Sequence, residues 1–205
     1  MKKPDRFLFN CLFGLVIPIL CFLIFWWGSL LITRNETVIM FSAISGLIFG
    51  LTISLLLKLT FKPDVYRLSG ATLILIYLFY NIGMFGFFMG VPVFNLVLGI
   101  IAGFYWVKRL IYRNEPVDFK TEIYRVSLFS SMVTGVICLL SATVALMSES
   151  TPSDLKGMLH LPFNISHIIL IGFIVTGGLF LIFIQYYLVR ITMHKTFQNN
   201  NIDVR

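Results

Sequence analysis

Charged residues divide this chain into long uncharged intervals, at 7–33, 37–57, 68–107, 126–148 and 168–189. Four of them run 21 to 27 residues, close to the roughly 20 apolar residues that one bilayer crossing takes. The interval 68–107 runs 40 residues. As one helix it would measure ~60 Å at ~1.5 Å per residue, about twice the ~30 Å hydrocarbon core, so it predicts two helices. The reversal is expected at Gly90-Val91-Pro92, where glycine allows a tight turn and proline suits the first turn of the next helix. The pattern therefore predicts six spans, at approximately 7–32, 38–58, 69–89, 92–112, 124–147 and 167–190. The expected fold class is an all-α integral membrane protein, a six-transmembrane-helix bundle forming a single domain over 1–205. Residues 148–166 form a loop between the last two spans. In it Pro152, Ser153 and Asp154 open a short interfacial helix.

Composition agrees with lipid as the solvent. Hydrophobic residues make up 58% of the chain and charged ones 12%, too few polar groups to cover a water-soluble domain of this size. The apolar run from residue 7 exceeds the ~7–15 residues of a secretory signal and is expected to be an uncleaved anchor. The net charge of +7 finds its explanation in topology. With six spans, 14 Lys and Arg residues fall on one side and only Arg34 and Lys156 on the other, a positive-inside asymmetry that predicts both termini in the cytoplasm. No nucleic-acid partner is needed to account for it. The basic connections are expected to meet anionic lipid headgroups of a plasma (inner) membrane. Glu115, Asp118 and Glu122, interleaved with Lys120 and Arg125, read as a solvated link between the fourth and fifth spans. Tyr105 and Trp106 read as anchors in an interfacial aromatic belt.

Small residues recur at helical spacing and predict close helix packing. Ser42, Gly46, Gly50 and Ser54 form one such row, Gly83, Gly86 and Gly90 a second, and Gly99 with Gly103 a third. On the fifth span Ser127, Ser131, Thr134, Gly135, Cys138 and Ser141 make a similar stripe. Cys11, Cys21 and Cys138 lack metal-ligand spacing and read as packing residues.

No acidic or basic residue and no histidine lies deep in a predicted span. Proton relays and intramembrane hydrolases normally depend on such groups, so those classes are disfavoured. No nucleotide loop or metalloprotease motif occurs, and no cofactor is expected. Asp154, His160 and His167 have the chemistry of zinc ligands without a recognised spacing, and they read as interfacial polar residues. The candidate solute-binding residues are Tyr77 and Asn81. Asn81 lies near mid-membrane, and Tyr77 shares its side of the helix, opposite Gly83, Gly86 and Gly90. Its amide is expected to bond to a neighbouring helix, for instance a serine or threonine of the fifth span, or to orient a neutral solute. Asn95 and Gln185 are placed near interfaces, where water would satisfy them. The expected function is non-enzymatic: a small transporter subunit, a binder of a neutral or apolar solute, or an accessory component of a membrane complex or homo-oligomer. The alternative is a lipid-modifying enzyme working through residues 148–167 or the basic loops.

Overall fold

A computed structural model describes residues 3–60, 65–87, 92–113, 118–158, 160, 162 and 165–202. Every regular element among them is helical. Five segments are long and apolar enough to cross a membrane: Phe9–Ile32, Glu36–Leu57, Asn95–Arg113, Phe119–Met147 and His167–Asn199, with a shorter apolar stretch at Gly70–Gly83. The chain is thus a helical, membrane-embedded protein by length and composition. It divides into two compact units, Met1–Thr72 and Leu73–Arg205.

In the first unit, the interval expected as one span carries a local break at Leu15 between α1 (Lys3–Gly14) and α2 (Val16–Ile32), and the helix runs on through it, with the Leu15 N–H donating to the Cys11 carbonyl and the Ile19 N–H to the Leu15 carbonyl. The cause is Pro18. It has no N–H to give the carbonyl four residues back, which is that of Gly14. Ser54 on α3 (Glu36–Thr60) donates its hydroxyl to that carbonyl at 2.8 Å instead. The Asn35 carboxamide accepts from the Thr37 N–H at 3.0 Å and so caps the start of α3. The two helices touch along the predicted small-residue row. The Ser42 hydroxyl donates to the Phe25 carbonyl at 3.2 Å. A Cβ at Gly46 would stand 2.7 Å from Phe25, and one at Gly50 would stand 2.6 Å from the Cα of Pro18. Substitution at either would therefore force the helices apart.

The second unit holds most of α4 (Gly70–Phe87), followed by a 3-10 turn at Pro92–Phe94, α5 (Asn95–Arg113), α6 (Phe119–Met147), the short α7 (Thr151–Met158) and α8 (His167–Ile202). The short helix expected within 148–166 is present as α7. The expected reversal at Gly90-Val91-Pro92, and Gly90 with it, lies outside the described residues apart from Pro92. α6 begins on an N-cap, Asp118, whose carboxylate accepts from the Thr121 hydroxyl at 2.7 Å and the Lys120 N–H at 3.2 Å. Those two bonds, the Thr121 hydroxyl first, hold its carboxyl below the usual carboxylate range.

α6 and α8 run antiparallel in a constant register. Phe119 stacks on Phe197, Ile123 shares a buried cluster with Met193, Ser130 bonds to Gln185, and Gly135 and Cys138 lie against Ile182 and Gly178. α5 lies along α8 in parallel, with Gly99 against Gln185 and Gly103 against Val189 and Met193. The apolar core of this unit is Val107, Ile123, Val189 and Met193, flanked by Trp106, Phe119, Val126 and Phe197.

That core corrects two expectations. Glu122 is not on a solvated link: it is buried, accepting from the Trp106 indole N–H at 2.9 Å and from Arg125 at 3.3 Å. Tyr105 is likewise buried rather than a belt anchor. Both sit one or two turns along helices that pack side by side, so chain distance to the nearest charge misjudges their exposure.

Candidate functional site

α4, α5, α6 and α8 each bring polar but uncharged side chains to one place in the second unit, in two adjoining layers. In the first layer, Ser130 Oγ shares a hydrogen bond with the Tyr77 hydroxyl at 2.7 Å and accepts from the Gln185 amide at 2.6 Å. Gly99 closes this layer, since any Cβ there would run into the Gln185 amide and lie 2.8 Å from Ser130 Oγ. Only glycine lets α5 approach that closely. One helical turn away lies the second layer. The Asn95 amide donates to the Asn81 backbone carbonyl at 2.9 Å and to its side-chain oxygen at 3.0 Å, while the Asn81 amide turns back to the Tyr77 carbonyl at 2.8 Å. Thr134 completes the layer on α6, donating to the Ser130 carbonyl at 3.1 Å.

The cluster is sealed from solvent. Asn81 is 1% exposed, and Asn95, Gln185 and Thr134 are 0% exposed. A buried amide without a partner costs about 1–3 kcal/mol, so such groups normally pair completely. Two amide oxygens of the cluster, Asn95 Oδ1 and Gln185 Oε1, have no partner among the described residues. Both accept hydrogen bonds, and no carboxylate or cation is among the residues of the two layers. An uncharged molecule that donates O–H or N–H would suit them.

Tyr77 and Asn81 thus stand together, as their spacing suggested, but their partners differ from the expected ones. The fifth-span serine bonds to Tyr77, and Asn81 pairs with Asn95. Asn95 and Gln185 are not left to water as expected: both are among the most buried side chains of the protein. Distance along the chain from the nearest charge does not say which neighbouring helix covers a side chain, so it misjudges their exposure. Gly99 and Gly103 lie at tight contacts, but a Cβ at Gly83 or Gly86 would meet no described atom within 4 Å. The close approach expected at those two glycines is not made among the described residues.

The segment between the last two spans brings no comparable set together. Asp154 accepts from Ser150 at 2.8 Å, and His160 and His167 are exposed. No group of three or more His, Cys, Asp or Glu side chains converges on a metal position among the described residues. Set against protein families, characterised proteins and solved structures, the chain finds no match in any of the three.

Proposed function

We propose that this chain is a multi-pass protein of the plasma membrane, with six apolar helical segments in the bilayer and both termini cytoplasmic, that binds a small neutral solute as a transporter subunit or solute-binding component. The supporting observation is the buried amide and hydroxyl cluster of Tyr77, Asn81, Asn95, Ser130 and Gln185, uncharged throughout and carrying unpartnered acceptor oxygens. In lipid, a polar group without a partner is expensive, and clusters of this kind are retained chiefly for packing or for a ligand. The unused acceptors favour the ligand. The 14-to-2 division of basic residues supports the orientation and sets the basic face against anionic headgroups.

The test is a thermal-stability screen of the purified protein in mild detergent against glycerol, other polyols, urea and simple amides. At least one of these neutral donors is expected to raise the melting temperature of the wild type and to leave Asn81→Leu unmoved. Asn81→Leu itself folds, because interhelical side-chain bonds in membrane bundles average only ~0.6 kcal/mol. A wild type that none of these solutes stabilises, or an Asn81→Leu protein that responds equally, refutes the solute reading.

A further inference from the structure

The pair of helices α6 and α8 carries a basic strip where its uncharged stretches end. Ser130 bonds to Gln185, and five residues on in opposite directions stand Arg125 on α6 and Arg190 on α8. Each is the first charged residue beyond an uncharged interval, 126–148 for Arg125 and 168–189 for Arg190, so both helices change character at one level. Arg125 is paired with Glu122. Arg190 makes no ion pair among the described residues. Its neighbours follow from the contacts of each helix, at ~100° per residue. On α6, Glu122 turns to α5 through the Trp106 indole, while Phe119 and Ile123 turn to α8. Lys120 and Tyr124, one step past those two, therefore stand on the flank away from α5. On α8, Gln185 and Val189 turn to α5 at Gly99 and Gly103. One step past Val189 is Arg190, and one turn later His194 meets the Phe119 ring edge-on, with centroids 6.0 Å apart. The helices are antiparallel, so both steps lead to the same flank.

We infer that this flank binds one anionic phospholipid of the leaflet on the basic side, with the lipid phosphate on Arg190 and Lys120 adding a second positive charge on the side toward water. Lys120, Tyr124, Arg190 and His194 are all exposed. Among the described residues no carboxylate faces the strip. α8 has no acidic residue, and the two of α6 and its cap, Asp118 and Glu122, lie a turn apart on the opposite flank, one engaged in capping and the other with Trp106 and Arg125. Phosphate matches a guanidinium so placed, because two parallel N–H bonds can hold it, and basic clefts between helices at this level take anionic headgroups. A lipid fits better than a free phosphate because the strip runs on into apolar surface. Tyr187 and Phe183, one and two turns from Arg190 into the uncharged stretch, are 55% and 63% exposed on the same side of α8 and give an acyl chain its path. Tyr124 suits headgroup level, being apolar in body and polar at its tip. The site rests on the membrane-spanning reading above, and neither on the solute nor on the orientation.

The experiment titrates the full chain, purified in a mild non-ionic detergent, with phosphatidylglycerol, with phosphatidylcholine of the same acyl chains, and with glycerol 3-phosphate, and reads the melting temperature. Phosphatidylglycerol is expected to raise it saturably, and the other two to leave it unchanged. In Arg190→Gln the midpoint of that rise moves to roughly tenfold higher lipid, the loss of one charge-assisted contact. Lys120→Gln moves it the same way by less. Lys195→Gln removes the same charge from an exposed position turned ~140° around α8 from Arg190, and it leaves the midpoint in place. Equal shifts for Lys195→Gln and Arg190→Gln would mean diffuse attraction and overturn the site, as would an unchanged midpoint in Arg190→Gln or an equal rise with phosphatidylcholine. A rise with glycerol 3-phosphate alone would overturn the lipid as occupant. These outcomes are read in a chain that needs detergent to stay monodisperse. Monodispersity without detergent would overturn the membrane reading, and the site with it.

Discussion

A methyl group added at Gly99 meets the Gln185 amide and Ser130 Oγ together, at the one layer where α5, α6 and α8 converge with Tyr77. Overpacking of this kind costs about 1–3 kcal/mol, and here it also separates hydrogen-bonded groups. Gly86, on a row of equal promise in sequence, has open space around it among the described residues. Gly99→Ala is therefore expected to lower the melting temperature in detergent by several degrees and Gly86→Ala to leave it nearly unchanged. Equal losses for the two would mean that Gly86 packs as tightly as Gly99. Spacing alone could not separate these glycines, because a row of small residues marks a helix face without saying what lies opposite. Asn81 was legible for a different reason: an amide far from every charge in its own interval is conspicuous whatever its neighbours. Gln185, four residues from the end of its interval, was hidden by that same rule.

Between elements, the clearest dependence joins the end of α1, ahead of Pro18, to α3 through a bond that neither helix makes alone. Pro18 leaves the Gly14 carbonyl without its helical partner, and the Ser54 hydroxyl supplies one. Removing that hydroxyl leaves a carbonyl unpaired in an apolar setting, at a cost of about 1 kcal/mol or somewhat more. Pro18→Ala restores the N–H four residues on and makes Ser54 dispensable. In a double-mutant cycle read by unfolding in detergent, Ser54→Ala is expected to destabilise the parent chain and to be close to neutral in the Pro18→Ala background. A Ser54→Ala cost that is the same in both backgrounds would show that the bond carries no such role. The long uncharged intervals revealed where these helices lie, whereas the local break near Pro18 was not among the expectations. Which helix would answer the proline was not legible, since a residue 40 positions away gives no local signal of contact.

For the whole molecule, orientation rests on charge, and charge is the part of the argument that the sequence carries by itself. With six spans, fourteen basic residues against two, and six acidic against three, would leave one face at about +8 and the other at about −1, and the positive-inside rule would assign the basic face to the cytoplasm. Lys120 at the start of α6, Gln198 near the end of α8, Arg34 ahead of α3 and Ser153 on α7 are all exposed, and the proposed topology puts the first two on the basic side and the last two on the other. Single cysteines at these four positions, in a cysteine-free background, are expected to divide cleanly. Arg34→Cys and Ser153→Cys react with an impermeant thiol reagent in intact cells, whereas Lys120→Cys and Gln198→Cys react only after the cells are permeabilised. Reaction of Lys120→Cys from outside would reverse the second unit. Reaction of all four would show that the uncharged intervals lie on a membrane surface rather than across it.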